Sequence, residues 1–255
     1  MEDLLICGNT ISDVWYKMLD SVLSKPGVNE LAPVLVSLQN FDPEECEQID
    51  PVRQVLDNVF KKRNLNSINT VANTIFPLSL YRLAKFDREQ LYRSYLAVMP
   101  RRKAIDVRNK DGLYFERLIA FDESEHGNQL EFIISEFTGR RGVRRSLLQA
   151  AIFDPRRDHK RNAQIAFPCL QHVSFVYSGN QLSVNAFYAT QQLFDKAYGN
   201  MLGLVRLGNF MAREMHLSLN RVNCYVGVEK LERITRQDED LKLIVNTAKQ
   251  YFKYE

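Results

Sequence analysis

The sequence predicts an α+β fold in which helices pack on a mixed, mainly antiparallel sheet. Apolar residues recur at helical spacing near both ends of the chain, and strand-like runs occupy much of the sequence between them. Of the 255 residues, 45% are apolar, so the chain can bury a sizeable core, and we expect a single domain over 1–255.

The N-terminal part is predicted to contain a helix, a strand and a second helix. The apolar spacing of 14–22 predicts the first helix, with Ser12 or Asp13 as its N-cap. The partly β-branched run 32–38 predicts the strand, and helical spacing returns over 50–63.

Another helix is predicted over 88–99, in the segment REQLYRSYLAVM. Pro100 is expected to end it, because proline lacks the amide hydrogen that a helix interior needs.

The rest of the chain is predicted to form a hairpin, a long helix and a final strand. The apolar run 146–153 predicts a buried strand, with a helical turn as the alternative. The runs 171–177 and 181–189 predict two strands, which a short Ser-Gly-Asn loop joins as a hairpin. The spacing of apolar residues over 200–215 predicts a helix, and 222–228 predicts a strand.

Positive charge is concentrated in short segments. The formal net charge is only +3, which indicates no general affinity for polyanions, so no nucleic-acid partner is expected. Basic residues nevertheless crowd 139–161, and a second basic run follows Pro100. Two interpretations stand: a solvated basic face, or an anion site in which arginines hold a phosphate group.

The cysteines and histidines show no metal-site pattern. The four cysteines, at 7, 46, 169 and 224, form no CxxC pair, and the four histidines are scattered. No apolar run is long enough to span a bilayer, and no secretion segment is apparent. We therefore expect no metal and no membrane partner, and free thiols in a cytoplasmic protein.

Cys169 is the candidate nucleophile. It follows Pro168 at the head of a strand-like run, and a basic stretch ends shortly before it at Arg161. Nearby arginines would favour the reactive thiolate form. The alternative is a buried structural cysteine, which is the commoner state of a free cysteine.

The surroundings of this cysteine resemble a known family. The sequence IFDPRRD at 152–158, followed by QIAFPC at 164–169, is similar to the stretch of thymidylate synthases that leads to their catalytic Pro-Cys. The pair Arg144-Arg145 stands a few residues farther from the cysteine than the family's double arginine. A small insertion around 156–161 accounts for the difference.

Further matches occur in the family's order. The hairpin, the Tyr-Gly-Asn at 198–200 and the long helix follow the cysteine, and Asn223-Cys224-Tyr225 stands where the family has His-x-Tyr. Upstream, Gly112-Leu113-Tyr114 resembles the Gly and Tyr that precede the family's active-site Trp segment. The resemblance runs from about Gly112 to Ile234, and it implies the thymidylate-synthase fold.

The resemblance implies a one-carbon transfer to C5 of a pyrimidine nucleotide. In this family a thiolate adds to C6, and the resulting enolate is nucleophilic at C5. The one-carbon unit, methyl or hydroxymethyl, would come from 5,10-methylenetetrahydrofolate. Such a site needs a thiolate, donors for the developing charge on the C4 oxygen, a phosphate anchor and a proton relay.

The resemblance also assigns roles to residues of this chain. Cys169 would be the nucleophile, Tyr114 would line the pocket near the thiol, and Asn223 would stand at the place of the family's His. The residues that would bind substrate are Arg144 and Arg145 for the phosphate, Asn200 for the base edge, Tyr225 for the ribose, and Gln192 in place of a carboxylate. The two arginines would reach the neighbouring subunit's site in a homodimer.

Each assignment has a simpler alternative. Arg144 and Arg145 fit a solvated basic loop, and Tyr114 and Tyr225 fit aromatic residues at the edge of the core. Asn200 also fits an N-cap of the helix that follows it.

The chain departs from the family at several positions, so its substrate stays open. Ala189 stands where a phosphate-binding Arg is expected, Leu170 replaces a His, and the last six residues, 250–255, are not the family's small apolar tail. The early Arg-containing loop is replaced by Lys25–Asn29. No general-base Glu is placed; the candidates are Glu116, Glu44 and Glu45. A nucleotide-binding or sensing protein on the same fold is therefore the second hypothesis, and an unrelated α+β protein is the third.

Overall fold

The computed structural model describes residues 4–106, 109–124, 126–140, 142–160 and 167–253. It contains helices and a mixed seven-stranded sheet, which confirms the predicted α+β class. Arg161 and the first half of the QIAFPC segment, 164–166, lie outside the described residues.

The helices and strands have the following bounds. The helices are α1 (Ile11–Leu23), α2 (Pro51–Lys62), α3 (Ile68–Ile75), α4 (Leu78–Leu83), α5 (Arg88–Ile105), α6 (Tyr114–Ile119), α7 (Gln129–Gly139), α8 (Pro155–Asp158), α9 (Tyr198–Glu214) and α10 (Glu239–Phe252). The strands are β1 (Leu4–Gly8), β2 (Glu30–Leu31), β3 (Val34–Gln39), β4 (Gln149–Ala151), β5 (Leu170–Ser178), β6 (Gln181–Gln192) and β7 (Ser218–Lys230).

The sheet mixes parallel and antiparallel pairs. Its order is β1-β3-β7-β6-β5-β4, and β2 also pairs with β7. The pairs β1–β3 and β6–β7 are parallel, whereas the other pairs are antiparallel. The predicted hairpin is confirmed as β5 and β6, and β6 continues three residues beyond its predicted end to Gln192.

One face of the sheet packs against helices. A Cβ atom at Gly208 on α9 would lie 2.8 Å from the side chain of Val184 and 2.9 Å from that of Leu219, so the helix lies directly on β6 and β7. Side chains alternate along a strand, so Asn185 and Phe187 point to the opposite face. We call this opposite side the outer face.

The outer face carries a row of exposed apolar residues. Leu5, Leu35, Tyr225 and Phe187 are successive register partners across β1, β3, β7 and β6, and their exposed fractions are 61%, 42%, 42% and 38%. The rings of Phe187 and Tyr225 stack with their centroids 5.5 Å apart. We call these four residues the outer apolar row.

The cap of α1 differs from the prediction. Thr10, not Ser12 or Asp13, is the N-cap, and its hydroxyl accepts a hydrogen bond from the backbone N–H of Asp13 at 3.1 Å. Ser12 is buried and its hydroxyl meets that of Tyr198 at 2.9 Å, so its side chain serves a tertiary contact.

The prediction that Pro100 ends its helix is wrong. Helix α5 continues through Pro100 to Ile105. Two contacts hold its last turn: Lys103 forms an ion pair with Glu116 of α6 at 2.6 Å, and the Arg102 guanidinium lies 5.7 Å from the ring centroid of Tyr95, about two turns earlier in α5. These contacts compensate for the hydrogen bond that proline cannot donate.

The segment 146–153 contains both predicted alternatives. A 3₁₀ turn spans Arg145–Leu147, and the short strand β4 follows. Within the described ranges, no helix combines the length and the apolar character that crossing a membrane requires.

Candidate functional site

A cavity of about 450 Å³ lies where β5 begins and β6 and β7 end. Residues of α3, α6 and α9 complete its wall. The cavity size falls within the range of roughly 300–1,000 Å³ that is typical of small-molecule sites. Four of the sequence-derived candidates line it: Cys169, Tyr114, Asn200 and Gln192.

Cys169 lies directly before β5 and is half-buried. Its sulfur atom is 3.9 Å from the hydroxyl oxygen of Thr190 on β6. Burial raises the pKa of the Cys169 thiol, and the hydrogen bond from Thr190 acts in the opposite direction without cancelling the rise.

Basic residues were expected to favour the Cys169 thiolate, and the described residues do not do so. Arg156 and Arg157 contact Asp154 instead, at 3.5 Å and 3.3 Å. The thiol form is therefore the resting form of this cysteine.

Tyr114 is the first residue of α6 and lies beside Cys169. Burial raises the pKa of the Tyr114 hydroxyl, as does the nearby Cys169, whereas the backbone N–H groups of Leu170 and Cys169 lower it. The hydroxyl is therefore neutral and can donate a hydrogen bond into the cavity.

A buried ion pair fixes the helix that carries Tyr114. The Arg117 guanidinium, one turn along α6, donates to both carboxylate oxygens of Asp158 at 2.7 Å and 2.8 Å, and to the carbonyl of Ile152 at 2.8 Å. Both side chains of the pair are 2% exposed. Burial acts to raise the pKa of Asp158, but the hydrogen bonds from Arg117 hold it below its usual range. The pair ties α6 to the segment before Cys169.

Asn200 is buried as the third residue of α9. It is not the N-cap of the helix, because a π-helical turn over Leu193–Ala197 precedes Tyr198. Trp15 of α1 donates its indole N–H to the Leu193 carbonyl at 2.9 Å, which anchors this turn. The side chain of Asn200 is thus free of a capping role and lines the cavity.

Gln192 is the last residue of β6 and stands at the cavity wall. Its amide nitrogen donates to a carboxylate oxygen of Glu232 at 3.1 Å. The amide of Gln192 is thereby oriented by an acidic residue that also lines the cavity.

Asn223 and Tyr225 are not brought to the cavity wall with the other candidates. Both are on the outer face, opposite to the buried Cys224 between them. Asn223 accepts from the Ser37 hydroxyl at 2.9 Å and donates to the Asn185 side chain at 2.8 Å, so its polar atoms are used within the sheet face.

Arg144 and Arg145 are exposed residues at the start of the 3₁₀ turn that precedes β4, and they do not line the cavity of their own chain. The Arg145 guanidinium lies 5.7 Å from the Tyr177 ring centroid. This arrangement fits a solvated loop, and it also leaves both side chains accessible to another subunit.

Several cavity residues were missed by the sequence analysis: Asn66, Thr74, Lys196, Lys230 and Glu232. Only Lys196 carried a usable signal, because it precedes Asn200 by four residues and such a spacing places side chains on one helix face. Its ammonium group lies 3.5 Å from Asp195, which is also 3.3 Å from Arg233.

No protein-family model matches this chain, and no curated protein matches it either.

Proposed function

We propose that this chain is a divergent thymidylate-synthase-like enzyme that transfers a one-carbon unit to C5 of a pyrimidine nucleotide. The observation that supports the proposal is the joining of Cys169, Tyr114 and Asn200 at one cavity, although they come from separate segments of the chain. Addition to C6 of a pyrimidine needs a nucleophilic sulfur and hydrogen-bond donors for the charge that develops on the C4 oxygen, and the thiol, the phenol and the amide can supply them.

In this proposal the Cys169 thiolate forms a bond to C6, and the electron pair of the C5=C6 bond moves toward the C4 oxygen. C5 would then form a bond to the one-carbon unit, and the bond between that unit and its carrier would break. Loss of the C5 proton to a base and departure of the Cys169 sulfur from C6 would restore the C5=C6 bond. A folate carrier would supply the unit at the methylene level, so that water gives a hydroxymethyl group and a hydride from the folate gives a methyl group. Tyr114 is the neutral donor beside the thiol.

Asn200 is assigned to the base edge. Its side-chain amide can accept from N3–H and donate to the C4 oxygen of a uracil ring, and the flipped amide suits cytosine. The proposal therefore includes uracil and cytosine nucleotides, with a methyl or hydroxymethyl group as the unit transferred.

The phosphate anchor is assigned to Arg144 and Arg145 of a second copy of the chain. The outer apolar row supports a homodimer, because a set of exposed apolar residues this continuous is typical of an interface. Packing two outer faces together would cover Leu35, Phe187 and Tyr225 in both subunits. Free cysteine thiols are compatible with a cytoplasmic enzyme.

The described residues do not define a site for 5,10-methylenetetrahydrofolate. A cavity of about 450 Å³ suits one nucleotide-sized ligand, and no described residue after Glu232 lines it. Helix α10 instead ends at Phe252, whose ring stacks with that of Tyr16 of α1 at 6.4 Å. No residue is therefore assigned to the folate.

A second candidate function is nucleotide binding or sensing without chemistry. One observation favours it: burial raises the pKa of Cys169, so the nucleophilic form is disfavoured in the ligand-free chain. Ala189, at the position of an expected phosphate-binding Arg, also carries no charge.

Tritium release separates the two functions. The enzyme is expected to release tritium from C5-tritiated dUMP, dCMP, UMP or CMP, because reversible addition at C6 allows the C5 hydrogen to exchange. Cys169→Ser should abolish release, whereas Cys7→Ser, at a half-buried thiol on β1, should not. If none of the four nucleotides exchanges but one raises the melting temperature, the binding function is supported. If none exchanges and none stabilises the protein, both functions are refuted.

A further inference from the structure

Glu229 is the most unusual buried group in the described part of the chain. Its side chain on β7 is 0% exposed, and neither carboxyl oxygen has a hydrogen-bond partner among the described residues. Burying a carboxyl group without a partner is costly, and buried polar groups are normally paired. Such an exception in a folded chain often marks a functional position.

The side chain next to Glu229 is unpaired as well. Gln191 on β6 is the register partner of Glu229 on the parallel strand β7, so their side chains leave the sheet on the same face. The amide nitrogen of Gln191 is buried without a partner among the described residues, yet Gln191 lines the candidate cavity. A donor and an acceptor on adjacent strands are therefore both unused beside the cavity.

A third unpaired group extends the cluster toward the thiol. The Tyr188 hydroxyl is buried, has no partner among the described residues, and interacts electrostatically with Tyr114, Cys169 and Glu229. The cluster thus adjoins the reactive part of the cavity.

Burial raises the pKa of Glu229 well above its ordinary value, so its carboxyl group is neutral. The carbonyl oxygen of a neutral carboxyl group accepts a hydrogen bond, and the buried NH₂ group of Gln191 is a suitable donor. When the Gln191 NH₂ group faces Glu229, the Gln191 carbonyl oxygen is directed toward the cavity.

We propose that Glu229 is a positioning residue, which accepts a hydrogen bond from the side-chain NH₂ group of Gln191 so that the Gln191 carbonyl oxygen accepts a hydrogen bond from a donor of the cavity ligand. That the ligand is a pyrimidine nucleotide rests on the proposed function; the donor is then an N–H group of the base or a hydroxyl group of the ribose. The Glu229–Gln191 pair thereby selects ligands that present a donor at this point.

The pairing itself is tested without a ligand. The side-chain NH₂ signals of Gln191 are assigned in a ¹⁵N-labelled protein by their loss in Gln191→Met. Glu229→Met, which keeps side-chain length but removes both oxygens, should move these signals, and the exposed control Glu239→Met should not. Gln191 signals that are identical in Glu229→Met and wild type would overturn the proposal.

The consequence for binding is tested by calorimetry with dUMP, dCMP, UMP and CMP. For the nucleotide that binds most tightly, Gln191→Met and Glu229→Met should each raise Kd about tenfold. The Kd of the double variant should also be about tenfold above that of wild type, because both substitutions remove the same interaction. Glu229→Gln retains a side-chain carbonyl acceptor, and its Kd should stay within about threefold of wild type. A double variant whose Kd is about a hundredfold above that of wild type would show that Glu229 and Gln191 act independently, and it would refute the proposed pair.

The two proposals fail in different ways. If wild type binds none of the four nucleotides, the proposed function fails, while the Gln191 signals still decide the pairing. If wild type binds a nucleotide and Gln191→Met binds it equally well, the cavity assignment survives and the positioning role does not.

Discussion

Gly199 on α9 lies against Val71 on α3 so closely that a Cβ atom at position 199 would be 2.6 Å from the Val71 Cβ. A Cβ atom at Gly203, one turn further along α9, would likewise lie only 2.9 Å from the carbonyl oxygen of Ala72 on α3. This close approach brings Asn200 and Thr74 to the wall of one cavity. The cavity wall therefore depends on two glycines that do not themselves line the cavity.

Gly199→Ala is expected to destabilise the protein by about 1–3 kcal/mol, because the added methyl group would push α3 away from α9. Urea denaturation measures the loss. Gly139→Ala is the matched control, since a Cβ atom at Gly139, the last residue of α7, meets nothing within 4 Å. Equal midpoints for Gly199→Ala and wild type would contradict the packing described above.

Arg117→Met is expected to cost about 3–5 kcal/mol, because it leaves the buried Asp158 carboxylate without its partner. Thermal and urea unfolding should both report the change. Arg156→Met removes the contact of a side chain that is 78% exposed, and it should alter stability by less than about 0.5 kcal/mol. If both variants lost a similar free energy of unfolding, burial of the Arg117–Asp158 pair would not be what makes Arg117 important for stability.

Alkylation of Cys169 is expected to accelerate as pH rises beyond the ordinary thiol pKa of about 8.5, because burial raises the pKa of this thiol and only the thiolate reacts. Mass spectrometry of iodoacetamide-treated protein at several pH values gives the rate. Thr190→Val should slow the reaction further at pH 8, since the Thr190 hydroxyl lowers the pKa. A rate that is already maximal at pH 7 would refute the direction of the shift.

Glu229 is expected to make the protein less stable as pH rises. Its pKa is raised by burial in the folded state, whereas an unfolded Glu titrates near about 4.3. Its favourable contribution is therefore complete below the unfolded pKa and is lost as pH rises toward the folded pKa. The loss is up to about 1.4 kcal/mol per pH unit.

The Glu229 effect is isolated by comparison with Glu229→Gln, which cannot ionise. Urea midpoints of both proteins are measured at pH 5 and pH 8. The midpoint of wild type minus that of Glu229→Gln should be smaller at pH 8 than at pH 5. A constant difference would mean that Glu229 has the same pKa in both states.

The proposed homodimer predicts twice the mass of one chain in light scattering after gel filtration. Leu35→Lys places a charge in the outer apolar row and should yield monomers. Leu243→Lys, at an exposed position on α10, should leave the mass unchanged. A monomeric wild-type protein would refute the homodimer and with it the assignment of Arg144 and Arg145 to a neighbouring site.

Local patterns predict the elements that are long or sharply bounded. The β5–β6 hairpin has a Gly-containing turn and α9 has a sustained apolar period, so both are placed to within three residues of their ends. Helices α3 and α6 span eight and six residues, which is too short for a clear period, and the sequence analysis does not predict them. Pro100 ends its helix by local rules, but contacts of Arg102 and Lys103 extend α5.

The sequence by itself determined the α+β class and the order of the β5–β6 hairpin, α9 and β7, and it marked Cys169 as a candidate nucleophile. The family resemblance grouped Tyr114, Asn200 and Gln192 with it, and these four residues line one cavity. The tertiary structure alone decided that Asn223 and Tyr225 are on the outer face, that Thr74 joins the cavity, and that Glu229 is buried without a partner. The physical reason is that periodicity reports which face of an element is apolar, whereas the grouping of side chains depends on how distant elements pack.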